Sequence, residues 1–133
     1  MLKVNPIFEI KPDPTFETDV LEVIYTPSNL KVVVEVSNTE SYQIFFNEQI
    51  WAFRYMEEGD LTHYWESELF NDMYIVYEIN SGGWLSKEGS NLNLMGIANS
   101  PDGWLKEWFI PTKNFSVTVL SNSLPKITRL TNA

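Results

Sequence analysis

The most restrictive feature of this sequence is an alternation of apolar residues with a period of two. From Asn29 to Ser37 one face of an extended chain carries Leu30, Val32, Val34 and Val36. Such alternation is typical of a β-strand with a buried face. Similar patterns occur in Phe115 to Leu120 and in Asp72 to Asn80, and each run is followed by turn-forming residues. The sequence therefore predicts a mainly β protein.

These strands also predict the core. Its expected residues are Leu30, Val32, Val34, Val36, Met73, Ile75, Tyr77, Phe115, Val117 and Val119. Phe16 to Tyr25 is expected to form a further strand that Pro27 ends. Its core-facing residues should be Leu21, Val23 and Tyr25.

Ser41 to Glu57 has the pattern of a hairpin, because two apolar runs flank Asn47-Glu48-Gln49. The second run, Ile50 to Met56, carries apolar groups on both faces. This distribution predicts a central strand. Helical patterns are confined to two short segments, Asp60 to Glu68 and Gly83 to Glu88.

A chain of 133 residues is expected to form a single domain over residues 1–133. The short strands and intervening turns favour an antiparallel β-barrel or β-sandwich. We expect about seven to nine strands, together with one or two short helices.

Charge is unevenly distributed along the chain. The formal net charge is −9, and residues 1–68 account for all of it, with 13 Asp and Glu against four Lys and Arg. Phosphate backbones and anionic lipids repel such a molecule, so neither nucleic acid nor a membrane is an expected partner. The acidic half is interpreted either as a binding face or as a solubilising surface.

The expected location is the cytoplasm. The first ten residues lack the apolar run of a signal peptide, and no apolar stretch approaches the roughly 18 residues of a membrane-spanning helix. There is no cysteine, which excludes disulfides and thiolate metal sites.

Catalytic signals are weak, so an enzyme is not favoured. His63 is the sole histidine, and packing or surface exposure explains it better than general base or metal chemistry. The acids of Glu57-Glu58-Gly59-Asp60 lack calcium-loop spacing and fit a solvated turn. Arg54, if it points inward, should pair with one of these acids. We expect neither a cofactor nor a metal.

Aromatic residues make up 14% of the sequence. Four of them lie close in sequence to Gly82, Gly83 and Gly103, namely Trp84, Trp104, Trp108 and Phe109. Packing in the core is favoured over an exposed interface, although both interpretations remain open.

Ile50 to Leu61, followed by Tyr64-Trp65-Glu66, combines an aromatic strand, an acidic turn and an aromatic-rich segment. With Tyr74 to Asn80, Gly83-Trp84-Leu85 and Phe115 to Leu120, this pattern resembles small acidic bacterial proteins that are uncharacterised. Some proteins of this kind look like immunity proteins, which neutralise a toxin made by the same cell. The resemblance implies a toxin-binding role and no catalytic residue.

The favoured hypothesis is therefore a non-enzymatic module that binds another protein, which is expected to be basic. Its predicted binding residues are Glu57, Glu58, Asp60, Tyr64, Trp65, Glu66 and Glu68. The alternative is a small-molecule-binding β-barrel, a carrier or an enzyme, with an aromatic-lined cavity. A structural subunit of a larger assembly is a third hypothesis, and the sequence leaves the oligomeric state open.

Overall fold

The computed structural model describes residues 3–8, 10–12, 17–47, 50–57, 74–81, 106–113 and 115–131. These residues form nine β-strands and contain no helix. The strands are β1 (Lys3–Pro6), β2 (Asp19–Thr26), β3 (Asn29–Glu35), β4 (Glu40–Phe46), β5 (Ile50–Glu57), β6 (Tyr77–Ser81), β7 (Lys106–Pro111), β8 (Phe115–Ser121) and β9 (Lys126–Thr131).

The strands form two antiparallel sheets. The larger has the order β1-β6-β7-β8-β5, and the smaller has the order β2-β3-β4-β9. The prediction of a mainly β chain with up to nine antiparallel strands is confirmed. A closed barrel is wrong, because within the described strands each sheet ends in two edge strands. Both segments with helical patterns, Asp60 to Glu68 and Gly83 to Glu88, lie entirely outside the described residues.

Strand β3 lies inside the smaller sheet and follows its sequence pattern. Leu30 and Val32 are fully buried, Val34 is nearly so, and Val36 is buried just after the strand. The intervening residues of β3 are half-buried. Fully burying an aliphatic side chain of this size stabilises a fold by about 1.5–3 kcal/mol. One face of β3 is therefore a major part of the core, as predicted.

The two sheets share one hydrophobic cluster. The smaller sheet contributes Leu30, Val32, Val34, Ile44 and Phe46. The larger sheet contributes Ile50, Trp108, Ile110, Val117 and Val119. The predicted core positions Ile75, Tyr77, Val117 and Val119 are buried. Phe115 is only half-buried, since it begins β8 at one end of the sheet, and Met73 lies outside the described residues.

Strands β7 and β8 are buried on both faces. On β8, Ser116, Thr118 and Leu120 are as inaccessible as the alternating valines. A second cluster, formed by Tyr77, Ile79 and Phe109, is separate from the shared core. Two-sided burial explains the run of apolar residues on β7, where a half-buried strand would alternate.

The predicted hairpin between β4 and β5 is wrong. β4 pairs with β3 and β9 in the smaller sheet, whereas β5 pairs with β8 in the larger one. β5 is an edge strand, and not the central strand that its apolar residues predicted. Periodicity identified both strands correctly, but a period of two carries no information about which distant strand is the partner.

The predicted inward face of β2 is also wrong in part. Val23 packs against the shared core, but Leu21 is 53% exposed and Tyr25 is 50% exposed. A β-bulge explains the exposure of Leu21, because the pairing with β3 shifts between Val20 and Glu22 and leaves Leu21 as the extra residue. As a result Val20 and Val23, three positions apart, both pack against the core. Tyr25, opposite buried Leu30, shares the face of Val23 and lies next to the last residue of β2.

Candidate protein-binding site

Exposed apolar side chains are concentrated on two edge strands. Among the described residues, the large hydrophobic side chains with the highest exposure are Leu21, Ile24 and Tyr25 on β2, Tyr55 on β5, and Leu124 in the loop before β9. Single exposed apolar residues are ordinary on protein surfaces. Four of these residues lie on β2 and β5, which are edge strands of the two described sheets.

Ring contacts connect β2, β5 and the start of β8. The centroids of Tyr25 and Phe53 are 5.2 Å apart, and those of Tyr55 and Phe115 are 4.9 Å apart. Phe53 and Tyr55 stand two residues apart on β5, so they project from the same face. We refer to these four side chains, Tyr25, Phe53, Tyr55 and Phe115, as the ring row. It carries two half-exposed tyrosines, the type of residue enriched at the centres of protein interfaces.

The turn between β7 and β8 holds one end of the ring row. The Thr112 amide donates to the Phe115 carbonyl at 3.0 Å, and the Phe115 amide donates to Thr112 Oγ1 at 3.2 Å. The Thr112 hydroxyl also donates to the Phe115 carbonyl. These bonds close a tight turn around buried Thr112 and thereby position the Phe115 ring.

The same turn anchors the start of β2. The Lys113 amide donates to the Thr18 carbonyl at 3.2 Å and to Thr18 Oγ1 at 3.1 Å. Thr18 is buried and precedes Asp19, the first residue of β2. This long-range contact brings the beginning of β2 next to the end of the ring row at Phe115.

Carboxylates gather at this end of β2. Asp19 lies directly opposite Glu35 in the β2–β3 register, and exposed Glu17 is two residues before Asp19. Like charges in directly opposite positions repel each other. Glu17, Asp19 and Glu35, here called the acidic group, make no ion pair with the described residues, unlike Glu22, which pairs with Lys31 at 3.2 Å.

Asp19 of the acidic group acts electrostatically on Tyr55 of the ring row. Burial, followed by the negative charge of Asp19, raises the pKa of the Tyr55 phenol above its ordinary value. The Asp19 carboxylate also accepts a hydrogen bond from the Val20 amide at 2.9 Å, which fixes its position at the strand end. At the Tyr55 end of the ring row, aromatic surface and carboxylates that form no ion pair with described residues therefore lie close together.

The predicted binding residues fall largely outside the described residues. This applies to Glu58, Asp60, Tyr64, Trp65, Glu66 and Glu68, and also to His63. Glu57 ends β5, and its backbone lies opposite Phe115. The structure thus brings the Glu57 backbone to the same end of the sheet as the ring row. Half-buried Arg54 was predicted to pair with Glu57, Glu58 or Asp60. The side chains of these three acids are outside the described part of the chain, so this pairing stays a prediction.

The favoured interpretation of the later aromatic residues is confirmed for Trp108 and Phe109, which are both buried. The Trp108 Nε1 group donates to the Ser121 carbonyl at 3.3 Å. Trp84 and Trp104 lie outside the described residues. Sequence reasoning missed Asp19 and Glu35 as site residues and assigned Tyr25 and Phe115 to the core. No local signal predicted the contact between Thr18 and the β7–β8 turn.

In the described residues no group of three or more Asp, Glu or His side chains is placed to hold a metal ion. None of the described segments is a long apolar helix that could cross a membrane. No protein-family model, curated protein or solved structure matches this chain.

Proposed function

We propose that this chain is a non-enzymatic protein-binding module that recognises a basic protein with the ring row and the acidic group. The supporting observation is the position of half-exposed Tyr55 near Asp19, a carboxylate that makes no ion pair with described residues, while half-exposed Tyr25 lies toward the other end of β2. Tyrosine rings provide apolar contact area at a low cost in conformational entropy. The carboxylates would attract a basic partner over distances beyond direct contact.

The proposal includes a β-sandwich architecture and a cytoplasmic location. The shared core between two open antiparallel sheets supports the sandwich. In that architecture the ring row occupies an open side, because β2 and β5 are both edge strands. The remaining predicted binding residues, from Glu58 to Glu68, lie outside the described residues and stay in the proposal as further contacts with the basic partner.

Toxin neutralisation, the role implied by the resemblance to immunity-like proteins, is one form of such binding. An acidic, aromatic surface would suit a basic toxin, since burial of the rings would stabilise the complex while the charges would speed encounter. The alternative of a small-molecule carrier or enzyme depends on a barrel cavity, and the described strands form two open sheets instead.

Affinity capture from an extract of the source organism tests the proposed function. The immobilised chain should retain a basic protein, and Asp19→Asn with Glu35→Gln should reduce its retention several-fold. Asn80→Lys with Asn122→Lys is the matched control, because it raises the net charge by the same two charges at exposed positions away from Phe115. Equal retention by both double variants would contradict recognition at the acidic group, and retention of no protein would contradict the proposal as a whole.

A further inference from the structure

The two parts of the proposed binding surface lie on different sheets. Phe53, Tyr55 and Phe115 of the ring row belong to β5 and β8 in the larger sheet. Asp19 and Glu35 of the acidic group belong to β2 and β3 in the smaller sheet. The sheets share an apolar cluster, but apolar burial is non-directional and does not by itself fix the distance between carboxylates and rings. Hydrogen bonds are directional and can fix it.

Two hydrogen bonds provide such a contact. The Lys113 amide donates to the carbonyl of Thr18 at 3.2 Å and to its Oγ1 atom at 3.1 Å. Lys113 follows β7 of the larger sheet, and Thr18 precedes β2 of the smaller one. Thr18 is 5% exposed, so water competes little for these bonds. They connect the neighbour of Asp19 to the turn that holds Phe115.

The first residues of β2 are weakly held by strand pairing. Asp19 lies directly opposite Glu35, where the like charges repel each other. Val20 pairs with Val34, and the register shifts immediately after it. A bulge disrupts the ladder locally, so the strand before it gains little support from the residues beyond it. The hydrogen bonds from Lys113 to Thr18 therefore stabilise the position of Asp19 where the ladder does so least.

We propose that Thr18 is a positioning residue of the binding surface, whose carbonyl and hydroxyl hold Asp19 at a fixed distance from Phe115 and Tyr55. The proposal rests on the proposed function, because it explains how the acidic group and the ring row are presented together to a basic partner. Thr18 is buried, so it acts through Asp19 and makes no contact of its own with the partner. A surface that is already held in its binding geometry loses less conformational entropy when the partner binds.

The hydroxyl of Thr18 can be removed with little change of shape. Thr18→Val keeps a branched side chain and the carbonyl bond to Lys113, but it lacks the Oγ1 acceptor. We expect Thr18→Val to raise the dissociation constant of the captured basic protein by about fivefold, which corresponds to about 1 kcal/mol. Thr18→Ser keeps the hydroxyl and should restore the wild-type dissociation constant.

Titration of Tyr55 shows whether Asp19 has moved, and it needs no partner. Asp19 contributes to the raised pKa of Tyr55, so Thr18→Val should lower that pKa toward its value in Asp19→Asn. When Asp19→Asn is already present, Thr18→Val should have no further effect on the Tyr55 pKa, because the charge is gone. A residue that only stabilised the fold would not give this pattern.

The matched control is Thr118→Val, which removes the hydroxyl of another buried threonine. Thr118 lies opposite Arg54, so it faces away from Tyr55, the next residue of β5. Thr118→Val should leave both the Tyr55 pKa and the dissociation constant unchanged. Thr18→Ala also lacks the hydroxyl and gives a second variant with the same expectation as Thr18→Val, should circular dichroism show that Thr18→Val does not fold.

An unchanged Tyr55 pKa in Thr18→Val, an equal change in Thr118→Val, or no recovery in Thr18→Ser would overturn the role of Thr18. A captured protein that responds to Asp19→Asn with Glu35→Gln, but not to Thr18→Val, would also overturn it while leaving the proposed function intact. If no basic protein is captured, the proposed function fails, whereas the Tyr55 titration still decides whether Thr18 holds Asp19 in place.

Discussion

Single buried positions on β3 have the clearest energetic consequence. We expect Val34→Asp to lower the free energy of unfolding by about 3–5 kcal/mol, because it places a carboxylate in the apolar core. Val34 is 2% exposed and belongs to the cluster shared by both sheets. Urea denaturation measures the change.

The adjacent residue provides the control for this substitution. Val33 is half-buried on the other face of β3, opposite Gln43. Val33→Asp should therefore cost clearly less than Val34→Asp, since water reaches its carboxylate. Equal losses from the two variants would show that the facial assignment of β3 is incorrect.

The pKa of Tyr55 can be measured, and it depends on the charge of Asp19. Because burial and Asp19 both raise the Tyr55 pKa, Asp19→Asn should lower that pKa, while leaving the part due to burial. The ultraviolet absorption of tyrosinate measures this pKa, because subtracting the titration curve of Tyr55→Phe leaves the signal of Tyr55 alone. An unchanged Tyr55 pKa in Asp19→Asn would place the two groups too far apart to interact.

The raised Tyr55 pKa also predicts a dependence of stability on pH. The neutral phenol is favoured in the folded state, so its contribution is fully present below the unfolded-state pKa of about 10. As pH rises from there through the folded-state pKa, this contribution is lost. Wild-type unfolding free energy should therefore fall more steeply than that of Tyr55→Phe in this range, and parallel curves would contradict the shift.

At the scale of the element, the bulge in β2 decides which side chains face the core. Leu21→Ala should change the free energy of unfolding by no more than about 1 kcal/mol, because Leu21 is exposed at the bulge. Leu30→Ala, the matched control on β3, should cost about 2–5 kcal/mol, because Leu30 is fully buried. Similar losses from the two variants, measured by thermal and urea denaturation, would contradict the bulge.

The comparison of β3 with β2 and β5 shows how far sequence patterns predict this fold. Alternation sufficed for β3, whose buried face coincides with Leu30, Val32 and Val34. On β2 it failed for Leu21, the inserted residue of the bulge, and for Tyr25, which shares the face of Val23 but is half-exposed near the end of the strand. It also failed for the partner of β5, because strand pairing depends on contacts between distant segments. For the same reason, the electrostatic effect of Asp19 on Tyr55 could not be predicted from the sequence of either strand alone.

At the scale of the whole molecule, the excess negative charge of residues 1–68 should control the rate of partner binding. Reversal of Glu57, Glu58 and Asp60 to lysine should slow association more than it speeds dissociation, because long-range attraction acts mainly on encounter. Surface plasmon resonance with the captured partner separates the two rates. An unchanged association rate at low salt would show that these three acids only solubilise the chain.

The central claim is that a basic partner binds at the acidic group beside the ring row. The most direct test measures the association rate constant of the captured partner as ionic strength increases, for wild type, for Asp19→Asn with Glu35→Gln, and for Asn80→Lys with Asn122→Lys. We expect the first double variant to associate more slowly at low salt, and with a weaker salt dependence, than the control with equal net charge. Identical rates and salt dependences for the two double variants would contradict the claim.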